Sequence, residues 1–504
     1  MPEALAPTAA PSPRVAASNE ALLAAKNAFK LGGSLVATWG VALAVRILLP
    51  RHLGPELFGP LTFADAFATL CFVPLSMGVE LYVRKEVARR PEHASDFLGG
   101  VLLLRVVASA LLFGVMALVL ELTGRPPAVR AVVYLFGAGQ FFNYLNMTLA
   151  ALLHARGRVD GLSVVSVVAK LVWAACIPLL LWAGLGLAGV ALAFLVSEAI
   201  KAAALGRLVA RALSLELRLD VKATLAALAA SLPFYVNQLA QTAYSKLDVN
   251  VLSFTVDDAA VVGWYGAASS LAGLALLVTP LIGWVLTPYL SRELERSPAA
   301  FDEALRRSVQ VVLAIAVPTS LVLALGADVW IRLMFGARYD PAAAPLRLLA
   351  PTFVLTYVNT LTAIALIVLG RGWEVTRTSL LGMTANLGLN VVLAPAGAAL
   401  WGPAGAALGC AAAMVLTEAL TAGRLLWCVH GRSFDRRSLA ALAGSLAACV
   451  AAIAADRLAA GLGPARLVVD GAAYLLVAVG TGALPVRELL QFSRAALRHR
   501  HEEA

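Results

Sequence analysis

Charge, large hydrophilic loops and catalytic signatures are what this chain lacks. Only 14% of its 504 residues are charged and 60% are hydrophobic, whereas a soluble domain carries about 25% charged residues. The longest connections between apolar stretches, near 206–224 and 327–345, are too short for a soluble catalytic domain. No G-x-x-x-x-G-K-[ST] occurs, which excludes ATP hydrolysis on a P-loop. The six histidines fall in loops or the C-terminal tail, without H-E-x-x-H or paired cysteines, and indicate no metal site. No D-x-D stands in an outer loop, which argues against a membrane glycosyltransferase or polymerase. The five cysteines (Cys71, Cys176, Cys410, Cys428 and Cys449) show no pairing pattern and read as reduced structural thiols.

What the chain has is length in apolar runs. Fourteen stretches, beginning with Phe29 to Leu49, are each long enough to cross a hydrocarbon core as a helix. They lie near 29–49, 61–80, 97–120, 130–153, 161–182, 186–205, 225–246, 262–290, 308–326, 346–369, 376–395, 403–424, 439–460 and 466–484. Of the 40 Lys and Arg, the tails and every second loop hold 28, the opposite loops 7 and the stretches themselves 5. The positive-inside rule then puts both termini in the cytoplasm. The expectation is an all-α polytopic membrane protein. The net charge of +10 is accounted for by cytoplasmic loops facing anionic lipid, so membrane lipids, and not nucleic acid, are the expected partners of the basic residues. Residues 1–24 read as a disordered cytoplasmic tail, 487–504 as a basic cytoplasmic tail, and the first stretch, behind Lys26 and Lys30, as an uncleaved signal anchor.

The chain repeats itself. Gly186-Leu-Ala-Gly189-Val-Ala-Leu-Ala193 matches Gly402-Pro-Ala-Gly405-Ala-Ala-Leu-Gly409 at an offset of 216, Arg156-Gly157 faces Arg371-Gly372, and Phe58-Gly59-Pro60 has a looser counterpart in Val262-Gly263-Trp264. Copies of six spans insert in parallel, and such repeats hold a substrate between them. The expected layout is an N-lobe at 25–222, a C-lobe at 223–435, and two extra spans at 436–486.

Several motifs carry a family resemblance. Arg51-His-Leu-Gly-Pro-Glu-Leu-Phe-Gly59 resembles the R-Y-L-G-P-E-x-[FY]-G signature of polysaccharide-biosynthesis flippases, and Arg84-Lys-Glu-Val-Ala-Arg89 their R-E-x-A-R loop. Asp258-Ala-Ala-Val-Val-Gly-Trp-Tyr-Gly-Ala267 is similar to D-A-A-x-x-G-x-Y-x-A, and Phe335-Gly-Ala-Arg-Tyr-Asp-Pro-Ala342 to Y-G-x-x-Y-x-x-A. Asn386-Leu-Gly-Leu-Asn390 with Gly402-Pro-Ala-Gly-Ala406 matches the N-x-x-L-N…G-x-x-G-A ending. The resemblance implies the multidrug/oligosaccharidyl-lipid/polysaccharide (MOP) exporter fold, with two six-helix lobes and alternating access. It also implies transport of an undecaprenyl-diphosphate-linked oligosaccharide from the inner to the outer leaflet without ATP. A polymerase and a chain-length regulator of the same pathway are the further partners it suggests. A lipid II flippase, a cation-coupled multidrug exporter and, as an enzyme, a polysaccharide polymerase are the alternatives.

A diphosphate head needs cations and a glycan needs amides or hydroxyls, and a buried Lys or Arg costs about 2.5–3.5 kcal/mol on insertion scales. Lys170 lies mid-span and shares a helical face with Ser163, Ser166 and Trp173, an indole on which a sugar can stack. A structural lysine paired with a carboxylate is the competing reading. Arg105 and Arg46 are further cations, with snorkelling or interfacial anchoring as competitors. Asn237, Gln241, Tyr244, Ser245 and Asp248 form one stripe on the seventh span. Asn386 and Asn390 share a face on the eleventh, with Asn386 at the position repeating Lys170. Asp65 and Glu80 are the candidates for proton or sodium coupling, against helix-dipole stabilisation for Asp65 and pairing with Arg84 for Glu80. No other cofactor is expected.

Overall fold

A computed structural model of the chain describes residue 33 and residues 36–90, 94–213, 218–274, 279–429 and 436–483. The expected tails at 1–24 and 487–504 lie outside these residues. Helices and short turns make up the described chain, without a strand among the described residues. Eleven helices, or twelve if one bent pair is a single span, are long and apolar enough to cross a membrane. The fourteen expected stretches are mainly helical over their described residues, but two fail as simple spans. The fourth became α5 (Pro127–Ala155), whose Arg130, Gln140, Asn143 and Asn146 lower its hydropathy. The eighth is two helices, α9 (Ala259–Ala272) and α10 (Thr279–Arg296), the second ending in Arg292, Glu293, Glu295 and Arg296.

Helix α4 (Ala94–Leu122) shows why such sequences fold as they do in lipid. Leu111, Val115, Leu118 and Leu122 form an outward stripe and are between 47% and 77% exposed. The opposite face buries Val101, Arg105, Ser109, Met116 and Leu120. Lipid, unlike water, accepts an apolar exterior, and every backbone group finds its partner along the helix. Helix α15 (Gly372–Trp401) carries exposed Trp373 and Trp401 at its two ends. At 1.5 Å per residue it is about 45 Å long, the thickness of a bilayer with its head-group layers, and indoles favour both boundaries.

The chain divides into two compact units. The first holds described residues up to Val45 with Leu75–Leu122 and Tyr134–Ser231; the second holds Arg46–Pro74, Thr123–Val133 and the described chain from Leu232. In the first, α3 (Val79–Arg89) buries Val79, Val83 and Val87 against α4 and against α7 (Gly186–Ala212). In the second, α2 (Pro55–Phe72) runs along α9. A Cβ on Gly59 would lie 1.9 Å from the carbonyl oxygen of Ala259, and one on Gly263 2.2 Å from that of Pro55. Both positions therefore require glycine for close approach.

The second span departs from expectation in an instructive way. Helix α2 begins at Pro55, six residues before the apolar run, because Pro fits the first helical turn and Gly54 supplies φ +77° before it. Asp65 is thus in mid-helix, away from the stabilising N-terminal dipole. The helix then ends in a tight turn at Val73–Ser76, with Met77 and Gly78 both left-handed, before α3 starts. Asp65 and Glu80, expected on one span, are thus separated by a helix break. The long connection expected at 327–345 is likewise ordered: α12 (Ala327–Phe335), a turn at Ala337–Ala342 and α13 (Ala343–Leu349).

The repeat has a structural counterpart in a slightly different register. Gly157 (φ +66°) ends α5 and Gly370 (φ +74°) ends α14 (Thr352–Val368). In both, the next amide reaches five residues back, Arg158 to Leu153 O and Arg371 to Leu366 O, the helix-ending geometry that favours glycine. Each is followed by a helical hairpin, α6 (Val159–Trp182) with α7 and α15 with α16 (Pro403–Cys428). Glycine matches glycine at an offset of 213, not 215. Counted from there, Lys170 corresponds to Met383, one turn before Asn386. The last two helices, α17 (Arg436–Leu458) and α18 (Arg466–Gly480), pack on each other and on α11 (Pro298–Leu325). Arg466 ties them down through Asp328 at 2.6 Å and Asp456 at 2.9 Å. Partial burial would raise the Asp328 carboxyl, but hydrogen bonds from Arg466 and the backbone outweigh it and hold the group below its ordinary range.

Candidate functional site

The second unit contains a cavity of about 500 Å³. Helix α8 (Val221–Thr255) supplies Gln241, Tyr244, Ser245 and Asp248 to its wall, four of the five residues of the stripe expected on the seventh span. The fifth, Asn237, accepts a hydrogen bond at 2.9 Å from Ser379 Oγ of the same wall. At the base, Asp248 is 5% exposed and receives hydrogen bonds from Tyr265 Oη and Asn390 Nδ2, each at 2.7 Å. Asn390 also donates to Asn386 Oδ1 at 3.1 Å. Both asparagines are fully buried and meet Asp248 from α15, so the structure joins three of the expected site residues from two spans.

A second carboxylate was not singled out by the sequence. Glu418 of α16 is 2% exposed. It accepts hydrogen bonds from Tyr244 Oη and, at 2.6 Å, from Asn359 Nδ2 of α14. The signal was available: Glu418 is the one acidic residue in its span, and Thr352, Thr356 and Asn359 recur at helical spacing on α14. The partners of both acids are neutral, which leaves either carboxylate able to carry a proton or face a monovalent cation. Among the described residues no cluster of three or more His, Cys, Asp or Glu could hold a metal ion.

The expected coupling acids are placed otherwise. Asp65 Oδ2 lies 2.9 Å from Lys246 Nζ, with both side chains partly exposed. Lys246 was not singled out, although it stands between Ser245 and Asp248. Glu80 pairs at 3.3 Å with Arg105, a partner on the next helix and not the expected Arg84. Arg105 is itself 1% exposed. Its Nε donates to Leu75 O at 2.9 Å, one terminal nitrogen to Tyr144 O and Thr148 Oγ1 at 2.9 and 2.7 Å, and the other to Ser76 O and Glu80, each at 3.3 Å. A guanidinium has five N–H donors, and all five are engaged. Arg105 is therefore the clasp that holds α3, α4, α5 and the turn at Val73–Ser76 together, with no donor left for a substrate in this state.

Lys170 stays on the half-buried face of α6. Its ammonium lies 3.9 Å from the centre of the Trp173 ring, a cation–π geometry. Arg46 is exposed towards the end of α1 (Val36–Leu53). Lys170, Trp173, Arg105 and Glu80 belong to the first unit, and the cavity residues to the second.

Three of the recognised motifs converge on one knot in the second unit. Glu56 pairs with Arg338 at 2.7 Å, Tyr339 donates to Pro50 O at 2.9 Å, and Trp264 donates to Arg338 O at 3.1 Å. Phe58 meets Tyr339 edge to face at 6.4 Å. The motif residues thus shape turns and helix contacts. The sequence profile of the polysaccharide biosynthesis protein family matches residues 24–293. The chain belongs to that family. Among solved structures, this polysaccharide biosynthesis family member is similar to a lipid II flippase MurJ in an inward closed conformation. The TM-score is 0.63 at 14% identity, covering 89% of this chain and 100% of that one. It is similar also to an inward-facing multidrug resistance MATE family transporter of the MOP superfamily, with a TM-score of 0.60 at 15% identity over 79% and 98% of the two chains. The family member therefore has the MOP-superfamily fold and is a multi-pass membrane protein. No curated protein matches its sequence.

Proposed function

We propose that this chain is a non-enzymatic, ATP-independent flippase that moves an undecaprenyl-diphosphate-linked oligosaccharide from the inner to the outer leaflet of a bacterial cytoplasmic membrane. The termini would lie in the cytoplasm and transport would proceed by alternating access. The observation that carries this reading is the cavity of the second unit. It combines buried carboxylates, amides and hydroxyls inside an apolar helical body, in a chain of the polysaccharide biosynthesis family. Sugar hydroxyls need such partners to leave water, since an unpaired buried hydroxyl costs about 2–7 kcal/mol. The diphosphate needs a cation, and Lys170 in the first unit is the proposed ligand, with Trp173 beneath it. Asp248 and Glu418, whose bonds come from neutral groups, are better placed to carry a coupling proton or sodium ion than Asp65 and Glu80, which face cations.

A lipid II flippase is the second reading. It is favoured by one observation, the match to the MurJ structure over 89% of this chain. The test of both is reconstitution of the purified protein into sealed vesicles holding lipid-linked glycan in one leaflet, with a membrane-impermeant periodate step reporting on the other. Protein-dependent transfer of undecaprenyl-diphosphate-oligosaccharide without ATP supports the first reading. Transfer of lipid II alone supports the second, and transfer of neither refutes both.

A further inference from the structure

The cavity of the second unit has a directional chemistry that its amides and hydroxyls conceal. Most of its donors are already given away inside the protein. Tyr244 and Tyr265 hand their phenolic protons to Glu418 and Asp248, and Asn359 Nδ2 is held by Glu418 and by Thr421 Oγ1 at 3.0 Å. The wall hydroxyls turn back onto their own helices, Thr360 to Thr356 O, Thr378 to Glu374 O, Ser245 to Thr242 O and Thr421 to Thr417 O, while Ser379 gives its proton to Asn237 Oδ1. Such back-bonding consumes the hydroxyl proton and leaves the oxygen lone pairs free. Asn359 Oδ1 is buried without a partner, one more open acceptor. No Lys, Arg or His is among the described residues that line the space.

We propose that this cavity is a sugar subsite that takes neutral or amino sugars through their hydroxyl and amine protons and rejects sugars bearing a carboxylate. The proposal rests on the flippase reading and names the glycan class it serves. A hexose hydroxyl brings a donor to a wall with few open ones, the Gln241 amide chief among them. A uronate brings acceptors only, to a wall already rich in them and without a cation to meet the charge. If Asp248 and Glu418 are ionised they repel a uronate, and if protonated they still offer no positive charge. Like charges brought together at an interface cost several kcal/mol.

The test compares two lipids that differ only at C6, undecaprenyl-diphosphate-glucose and undecaprenyl-diphosphate-glucuronic acid, with bare undecaprenyl diphosphate as reference. Binding to the full-length protein in nanodiscs is measured by native mass spectrometry. The glucose lipid is expected to bind at least roughly tenfold tighter than the glucuronate lipid, given the like-charge cost above, and tighter than the bare lipid. Glu418→Gln and Asp248→Asn, each confirmed as folded by its elution profile, should narrow the ratio. Equal binding of the two sugars, or preference for the glucuronate, overturns the inference and leaves the flippase reading intact. So does a preference that survives both substitutions, because the discrimination then lies elsewhere. Binding of none of the three lipids overturns the flippase reading as well.

Discussion

Lys246 of α8 and Asp65 of α2 form an ion pair of 2.9 Å, although 181 positions separate them. The pair is partly exposed, at 32% and 43% of the two side chains, and exposed pairs contribute only about 0–1 kcal/mol. Asp65→Asn and Lys246→Met should therefore accumulate normally, with thermal midpoints close to the parent's when measured in detergent. Transport by an abundant Asp65→Asn protein would show that Asp65 is not the coupling acid. Loss of transport at unchanged abundance would restore it to that role.

Arg105 gives the opposite expectation. Removing one partner from a buried ion pair costs about 3–5 kcal/mol. Arg105→Met should thus accumulate poorly and unfold at lower temperature. Arg105→Lys should not rescue it, because three ammonium protons cannot serve the oxygens now bound by five. An Arg105→Met protein that is abundant and stable but inactive would instead make Arg105 a substrate ligand.

Two glycines separate close approach from mere helix composition. Gly59→Ala places a methyl group 1.9 Å from Ala259 O, and overpacking costs about 1–3 kcal/mol or more. Gly388, in α15, has no neighbouring atom within 4 Å of an added Cβ. Gly388→Ala should therefore be neutral or stabilising by about 0.5–1 kcal/mol. Thermal unfolding of the two variants side by side decides the matter. Equal midpoints would remove the α2–α9 contact from the account.

Lys170→Ala should abolish transport while leaving protein abundance nearly unchanged, and Lys170→Arg should keep part of it, since charge survives and geometry changes. Quantifying the protein in membranes beside the glycan that reaches the outer leaflet is the measurement. Normal transport by abundant Lys170→Ala protein would eliminate the ammonium as an essential ligand. Poor accumulation would assign it a structural partner.

The apolar runs and the polar stripe on the seventh span were legible in the sequence because helical periodicity is local. The stripe from Asn237 to Asp248 needed only the 3.6-residue repeat, and it lines or adjoins the cavity as that repeat requires. Partnership was not legible. Glu80 has Arg84 at favourable helical spacing, yet its ion pair is with Arg105, because a helix break at Met77–Gly78 reorients it. Glu418 was passed over for the same reason: alone on an Ala-rich helix it looks incidental until Tyr244 and Asn359 arrive from two others. The register of α2 was hidden because Pro55 starts the helix well before hydropathy rises.

The knot that joins Pro50, Glu56, Arg338 and Tyr339 also sets a timetable for making the protein. Helix α2 leaves the ribosome some two hundred residues before its neighbour α9 exists, and nearly three hundred before Tyr339. At about 5–20 residues per second, it waits about 10–40 s for the one and about 15–60 s for the other. Throughout that interval Gly59, Thr62 and Asp65 lack the helices they pack against. Biogenesis of this protein is thus governed by a long-deferred contact, and truncation anywhere before Tyr339 leaves its opening turn without a clasp.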